Sequence, residues 1–181
     1  MPDKALLVID MLRDFLDPAG ALYCGDQAAE VIAPVAKLLD HHRRQGSLIV
    51  FVADSHAPDD LEFALFPPHC VAGTPGAELL PNFVVAPGEH LVRKHRYSAM
   101  FATDLEEILR QSGAAEIHLA GVCTSICVME TASDLRNRDY QVVVHAQAVA
   151  DFDPQAHQFA LERMAKILGC RVVGQGGFMQ A

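Results

Sequence analysis

The amino-acid sequence predicts an α/β fold in which a parallel sheet carries helices on both faces. Short β-branched runs alternate along the chain with longer segments of helical periodicity, and three of the runs are almost continuously apolar. Continuous apolar runs are typical of strands buried on both faces, and the alternation is typical of βαβ units. The six predicted strands are residues 5–9, 48–53, 91–93, 117–121, 142–145 and 171–173.

Four helical segments are predicted between these strands, at residues 28–45, 103–111, 125–138 and 153–169. Pro34 marks either the first turn of the first helix or a kink within it. Thr103 and Glu106 have the spacing of a capping box. Asp153 followed by Pro154 is typical of an N-cap with proline at the first helical position.

Composition excludes several classes of function. With 181 residues, of which 51% are hydrophobic and 20% charged, the chain is predicted to form a single domain over residues 1–181. Its net charge of −9 argues against a nucleic-acid partner, and its apolar runs are too short to span a membrane. Five irregularly spaced cysteines and no amino-terminal leader predict reduced thiols in the cytoplasm.

Chemically reactive residue types follow several of the predicted strands. Asp10 follows the first strand, Lys94 the third, and Cys123 and Cys127 the fourth. Ligands of open parallel sheets bind beyond the carboxyl ends of the strands, so these residues are predicted to meet at one edge. Taken singly, Asp10 also fits a turn residue, Lys94 a solvated surface lysine, and each cysteine a small core side chain. Together they predict a nucleophilic site with a proton acceptor, a cation and a thiol.

Three segments resemble the isochorismatase-like cysteine hydrolases, the family that includes nicotinamidases; they read ALLVIDMLRDFL, RKHRYSAMFATDLEEIL and AGVCTSICVMETASDLRNRDYQVVV. The likeness extends from Ala5 to about Gly169. It implies a three-layer fold with a six-stranded parallel sheet in a Rossmann-like order. It also implies that Asp10, Lys94 and Cys127 form the catalytic triad of the family.

The same resemblance gives a backbone role to the peptide bond between Val122 and Cys123. In the family this bond is typically cis and directs the N–H group of its second residue, with that of the nucleophile, into an oxyanion hole. The resemblance therefore implies that Cys123 is structural and that Cys127 is the nucleophile. Ser125 departs from the pattern, because relatives often carry Asp at that position.

The proline-rich loop at residues 54–90 contains a second group of polar residues, namely Asp54, His56, Glu62 and His69. Such a mixture of carboxylates and imidazoles suits Zn²⁺, Mn²⁺ or Fe²⁺. Loop histidines are more often solvated, but this segment resembles the nicotinamidase branch of the family. The resemblance implies that Asp54, His56 and His69 bind a divalent transition metal, with Zn²⁺ as the first choice. Glu62 is included as a fourth ligand, although relatives vary there between His and Glu.

Four aromatic residues near these motifs are predicted to wall the ring of a substrate: Phe15, Phe66, Tyr97 and Phe101. The resemblance supports the first two, since the family places aromatic residues at those positions. Tyr97 and Phe101 fit ordinary core packing equally well.

The implied function is that of a metal-containing cysteine amidohydrolase, a nicotinamidase that converts nicotinamide to nicotinate and ammonia. One alternative is a hydrolase of the same fold that acts on another small amide or on a vinyl ether. Another is a non-catalytic metal-binding or redox module using Cys123 and Cys127, although their spacing is not that of a Cys-x-x-Cys pair. The expected partners are a small carboxamide substrate and further copies of the chain in a homo-oligomer, without nucleic acid or membrane.

Overall fold

Six parallel strands form one sheet in the computed structural model, which describes residues 2–174. The strands are Lys4–Ile9 (β1), Leu48–Asp54 (β2), His90–Lys94 (β3), Glu116–Val122 (β4), Gln141–Ala150 (β5) and Arg171–Val173 (β6). Their order across the sheet is β3-β2-β1-β4-β5-β6. The predicted α/β class and Rossmann-like order are therefore confirmed. Residue 1 and residues 175–181 of the predicted domain lie outside the described residues.

Helices cover both faces of this sheet and complete the three layers. The α-helices are Arg13–Leu16 (α1), Asp26–Ala29 (α2), Ile32–Arg44 (α3), Leu105–Ser112 (α4), Met129–Arg136 (α5) and Pro154–Lys166 (α6). Two 3₁₀ turns and one π-helical turn occur at Leu61–Ala64, Pro75–Ala77 and Thr124–Val128. Among residues 2–174, no helix combines the length and apolar character needed to cross a bilayer.

The two faces of β1 divide the core between the helical layers. Ala5, Leu7 and Ile9 pack with buried side chains of α4, α5 and α6, whereas Leu6 and Val8 pack with those of α3. All five are fully buried, as the period-two geometry of a strand between two layers requires. Each buried Leu, Ile or Val side chain contributes roughly 1.5–3 kcal/mol by its removal from water.

The prediction of a single helix at residues 28–45 is wrong, because two helices occupy this part of the chain. α2 ends at Ala29, α3 begins at Ile32, and Pro34 occupies the third position of α3. Proline is tolerated there because the first N–H groups of a helix have no partner within the helix. Pro34 therefore marks a first turn, which is one of the two predicted alternatives.

The predicted helix caps have different outcomes. The Asp153 carboxylate accepts hydrogen bonds from two N–H groups in the first turn of α6, so this predicted N-cap is confirmed. The predicted capping box of α4 is wrong, because the N-cap position is Asp104. The Thr103 hydroxyl instead accepts from the Leu105 N–H and donates to the Ala99 carbonyl, which joins the preceding turn to the helix.

The strand order reverses between β1 and β4, which lie side by side at the centre of the sheet. Gly121 in β4 has a φ of 122°, and a Cβ atom there would collide with the backbone of Ile9. Glycine is therefore required for the close approach of the two strands. In open parallel sheets the ligand crevice forms at such a reversal, beyond the carboxyl ends of the strands.

Candidate active site

Three residues predicted from the sequence meet at this crevice. Asp10 follows β1, Lys94 ends β3, and Cys127 lies in the π-helical turn after β4. Lys94 Nζ is 2.9 Å from Asp10 Oδ2 and 3.2 Å from Cys127 Sγ. The relative exposures of Asp10, Lys94 and Cys127 are 0%, 1% and 6%. The three side chains therefore form one buried cluster of acid, cation and thiol.

The backbone of Asp10 directs its carboxylate into this cluster. Its φ of 52° lies in the left-handed region that non-glycine residues rarely adopt, and its N–H donates to the Val52 carbonyl. Asp10 Oδ1 accepts a hydrogen bond from the Asp54 N–H at 2.9 Å, and an oxygen of Asp10 lies within 4.8 Å of Cys127 Sγ. Burial, reinforced by the charge of Asp54, raises the pKa of Asp10 to about 7. The group can therefore lose and regain a proton near neutral pH.

Burial has opposite consequences for the lysine and the thiol. Burial alone would lower the pKa of Lys94, but the Asp10 and Asp54 carboxylates hold it well above its ordinary value. Burial raises the pKa of the Cys127 thiol well above its ordinary value, and the Lys94 cation offsets this only in part. Cys127 is therefore a thiol beside the Lys94 cation. A base has to remove the proton before such a sulfur can attack, and the Asp10 carboxylate lies within 4.8 Å of it.

The turn that carries the thiol follows a cis peptide bond between Val122 and Cys123. The Cys123 carbonyl accepts a hydrogen bond from the Ile126 N–H within the turn. π-Helical turns occur frequently at functional sites. The Cys123 thiol has a different neighbour from that of Cys127, because its Sγ is 3.5 Å from Cys24 Sγ. The two thiols that are four residues apart therefore have separate environments.

Ser125, which departs from the family pattern, lies beside a carboxylate from another strand. Its N–H donates to Asp151 Oδ2 at 2.7 Å, and Asp151 is buried directly after β5. The second carboxylate oxygen of Asp151 accepts a hydrogen bond from the Asp153 N–H at 3.2 Å. A carboxylate therefore orders this turn although residue 125 is serine.

The loop after β2 brings Asp54, His56 and His69 together next to the acid–cation–thiol cluster. One ligand atom from each residue lies within 4.8 Å of those from the other two. Glu62 lies beside them, with its Oε1 3.9 Å from His69 Nε2, and all four side chains are buried. One Asp54 oxygen contacts the Lys94 ammonium and the other is 3.7 Å from His56 Nε2. Asp54 therefore joins the two groups.

The hydrogen bonds of these histidines leave ligand atoms facing one another. His69 Nδ1 donates to the Pro67 carbonyl at 2.8 Å, and His56 Nδ1 is 3.2 Å from Asp60 Oδ2. Because carboxylate and carbonyl oxygens accept, each Nδ1 donates, and in the neutral imidazole each Nε2 then carries the lone pair, as in histidines that bind metals. His56 Nε2 and Glu62 Oε2 are buried without a hydrogen-bond partner. Two imidazoles, two carboxylates and these unpartnered atoms fit a divalent transition metal.

A cavity lies against the Cys127 thiol, and three of the four predicted aromatic residues line it. These are Phe15, Phe66 and Tyr97. The prediction for Phe101 is corrected, because its ring belongs to a surface turn before α4, is 54% exposed and lines a separate depression. Further residues that line the cavity and that the sequence did not indicate are Leu22, Cys24, Ile126 and Phe152.

Asp60 is a further residue of the site that the sequence analysis missed. Besides facing His56, its carboxylate accepts hydrogen bonds from the Glu62 N–H and from Arg96 at 3.0 Å. The Glu62 N–H, together with His56 and Arg96, lowers the pKa of Asp60 to about 2. The spacing of four residues between His56 and Asp60 was the available signal, since it allows a carboxylate to orient a histidine ligand.

The sheet and the buried thiol cluster together define an α/β protein with a nucleophile-type site at its strand-order reversal. The family model described as the isochorismatase domain matches residues 4–173. An uncharacterized isochorismatase family protein of Bacillus subtilis, PncA, is 38% identical over 179 residues, which cover 93% of this chain and 98% of the relative. The chain therefore belongs to the isochorismatase family.

Solved structures agree with this assignment. The crystal structure of nicotinamidase/pyrazinamidase PncA from Bacillus subtilis matches with a TM-score of 0.90 and 40% identity, covering 96% of this chain and 100% of the other. The pyrazinamidase of Pyrococcus horikoshii, solved in complex with zinc, matches with a TM-score of 0.89 and 32% identity, over 96% and 100% of the two chains. The family resemblance predicted from the three sequence segments is confirmed.

Proposed function

We propose that this protein is a cysteine amidohydrolase that hydrolyses nicotinamide to nicotinate and ammonia. The observation that carries the proposal is the buried group of Asp10, Lys94 and Cys127. Its Cys127 lines the same cavity as Asp54, Glu62 and His69. The solved relatives named nicotinamidase and pyrazinamidase support the same substrate class.

The first half of the reaction forms a thioester on Cys127. Asp10 accepts the thiol proton as Sγ attacks the carboxamide carbon, and the Lys94 cation stabilises the negative charge on the sulfur and the carboxylate. In the tetrahedral intermediate the charge moves to the carbonyl oxygen. The backbone N–H groups of Cys123 and Cys127 are the donors that we assign to this oxyanion.

The second half releases both products. Asp10 returns its proton to the nitrogen, the carbon–nitrogen bond breaks, and ammonia leaves. Asp10 then accepts a proton from a water molecule that attacks the thioester carbonyl. The carbon–sulfur bond breaks, the Cys127 thiolate regains its proton from Asp10, and the nicotinic acid released loses a proton to solvent to give nicotinate. A pKa of about 7 for Asp10 suits a group that accepts and donates protons in turn.

Asp54, His56 and His69, with Glu62 beside them, would hold a divalent transition metal, and Zn²⁺ is the ion that we propose first. When bound, such an ion supplies a Lewis acid for the ring nitrogen of the substrate. The aromatic side chains of Phe15 and Phe66 line the cavity and would pack against that ring.

Three further statements belong to the proposal: the chain is a single domain over residues 1–181, it resides in the cytoplasm, and it forms a homo-oligomer. The five cysteines are free and buried, which supports a reducing compartment. Exposed apolar side chains such as Phe159 and Ile167 support contact between copies. Light scattering of the purified protein tests the oligomeric state.

Ammonia release by the purified protein tests the proposed activity. The substrates are nicotinamide, pyrazinamide and an aliphatic amide, each with and without a chelator, and Cys127→Ala serves as the control for contaminating amidases. We expect ammonia from the two heteroaromatic amides and little from the aliphatic amide. Turnover of another small amide or of a vinyl ether, with none of nicotinamide, would instead establish the alternative hydrolase.

A further inference from the structure

Three histidines meet near the amino-terminal edge of the sheet, opposite to the edge that carries the active site. His42 lies near the end of α3, His118 in the first half of β4, and His145 in β5. One ring nitrogen from each lies within 4.8 Å of those from the other two. His42 and His118 are buried and His145 is half-buried. No step of the proposed reaction uses any of them.

Hydrogen bonds orient two of these rings from the outside. His118 Nε2 is 2.9 Å from Glu116 Oε1, so this nitrogen carries the proton that it donates and His118 Nδ1 carries a lone pair. That lone pair faces His145 Nε2 at 2.8 Å. His42 Nδ1 pairs with the Ser47 hydroxyl at 2.9 Å, which leaves its Nε2 as the ligand atom. A carboxylate behind a histidine is the arrangement that fixes histidine ligands in metal sites.

The surroundings of the three imidazoles favour the neutral form, in which histidine binds metals. Burial, together with the neighbouring imidazoles, lowers the pKa of His42 to about 3 and that of His145 to about 4. Burial also lowers the pKa of His118, although Glu116 opposes this.

A cavity of about 270 Å³ lies against the three histidines and is also lined by Asp3, Lys4 and His41. It leaves room for a ligand or a water molecule in addition to the imidazoles. The Glu116 carboxylate is paired with Lys4 at 3.1 Å and with Arg171 at 2.9 Å, so it is held behind His118 as a hydrogen-bond acceptor. An all-imidazole set of ligands selects borderline transition metals over Mg²⁺ or Ca²⁺.

We propose that His42, His118 and His145 form a second metal site, separate from the active site, for a divalent ion of the Zn²⁺ class. The ion replaces the hydrogen bond between His118 and His145. Ligand nitrogens about 2.0–2.1 Å from a tetrahedral ion are roughly 3.3 Å apart, so binding moves these two rings apart by about half an ångström from their present 2.8 Å. Because the ligands come from α3, β4 and β5, the ion ties a helix to the sheet.

Zn²⁺ titration against a chromophoric chelator tests this proposal without any assay of turnover. In the double variant His56→Ala/His69→Ala, which lacks the histidines of the active-site group, we expect one Zn²⁺ per chain at micromolar protein. Adding His145→Gln should weaken this binding by about tenfold or more, because one of three ligands is lost. Adding His41→Gln should change it less than about twofold, because His41 lines the cavity but is not in the group.

Two further measurements keep the test decisive if His145→Gln perturbs folding. Glu116→Gln keeps the three ligands but weakens the hydrogen bond behind His118, so Zn²⁺ affinity should fall about tenfold while the circular dichroism spectrum is kept. Co²⁺ added to the double variant should give the visible absorption of a tetrahedral nitrogen site. The proposal is overturned if the double variant binds no Zn²⁺, or if His145→Gln and Glu116→Gln both bind it as tightly as their parent. Neither outcome bears on the amidase proposal.

Discussion

Single residues differ in chemical role according to their neighbours, and Cys123 and Cys127 are the clearest pair. Both thiols are buried, but Cys127 contacts Lys94 and lies within 4.8 Å of Asp10, whereas Cys123 contacts Cys24. We expect Cys127→Ala to lose about 10³-fold or more in ammonia release, as removal of a nucleophile does. Cys123→Ala should stay within about tenfold of the parent, since only its backbone is assigned a role. The reverse order of activities would show that the nucleophile is assigned to the wrong thiol.

The positive charge of Lys94 can be tested independently of the thiol itself. Its ammonium is 3.2 Å from Cys127 Sγ and lowers a thiol pKa that burial raises. Lys94→Met should therefore raise the pKa of Cys127 further, and each unit lowers the thiolate fraction at neutral pH about tenfold. The measurement is the rate of Cys127 alkylation by iodoacetamide between pH 7 and 10. Lys37→Met, on α3, is the control. Equal alkylation rates in the parent and in both variants would exclude activation of the Cys127 thiol by Lys94.

At the residue scale, the sequence predicted Asp10, Lys94 and Cys127 because each follows or ends a strand of a parallel sheet. It could not predict Cys24, which is 99 residues from Cys123 and enters the site through an irregular segment. It also missed Asp151, whose carboxylate accepts hydrogen bonds from the backbone N–H groups of Ser125 and Asp153. Contacts made by loops and by backbone groups leave no periodic pattern in the sequence.

At the scale of elements, one ion pair connects the end of α3 to the loop before β3. Arg43 donates to both carboxylate oxygens of Glu89, at 2.7 and 2.9 Å, and to the Val84 carbonyl. These bonds lower the pKa of Glu89. Because the folded pKa is the lower one, the stabilisation is fully present above the unfolded value of about 4.3. It is lost as the pH falls through the folded pKa.

Glu89→Gln should therefore lower the free energy of unfolding by about 1 kcal/mol at pH 7, a modest value because the pair is partly exposed. The difference between variant and parent should shrink below pH 4. Urea unfolding at pH 7 and at pH 3.5 measures both effects. Glu107→Gln, which removes an exposed pair within α4, is the control and should leave the unfolding free energy nearly unchanged. A loss for Glu89→Gln that is the same at both pH values would mean that its charge contributes nothing.

The length of β5 could not be predicted from the pattern of apolar residues. β5 was predicted at residues 142–145 but extends from Gln141 to Ala150, through the polar His145 and Gln147. The register of β5 against β4 shifts between Leu119 and Gly121, so the apolar alternation is interrupted in a strand that continues. Pairing with β4 resumes at Val149 and Ala150, so the strand continues beyond the point at which the sequence pattern predicts its end.

At the scale of the whole molecule, the sheet assembles distant segments into one site. All strands are parallel, so the residues after β1, β2, β3 and β4 lie at a single edge, and the reversal between β1 and β4 opens the crevice there. This geometry explains why strand ends in the sequence were sufficient to predict that Asp10, Lys94 and Cys127 lie close together. The metal group required the family resemblance as well, because its histidines come from a loop without periodicity.

The arrangement also separates metal binding from the activation of the thiol. His56 and His69 lie in the loop after β2, whereas Asp10, Lys94 and Cys127 are held by other segments. His56→Ala or His69→Ala should therefore lose the active-site metal without unfolding the sheet. Since the thiol keeps its base and its cation, metal-free protein should still react with iodoacetamide at Cys127 at a rate close to that of the parent.

Loss of the metal should nevertheless impair some substrates more than others. If a bound ion holds the ring nitrogen, His69→Ala should reduce ammonia release from nicotinamide far more than from benzamide, which lacks that nitrogen. We expect the preference for nicotinamide over benzamide to fall by about tenfold or more, as for removal of a specific polar contact. Metal analysis, alkylation rate and the two kcat/KM values are measured on the same preparations. Equal losses of activity on both amides would show that the metal stabilises the loop and does not hold the substrate ring. Full nicotinamidase activity in a chelator would show that the metal takes no part in the reaction.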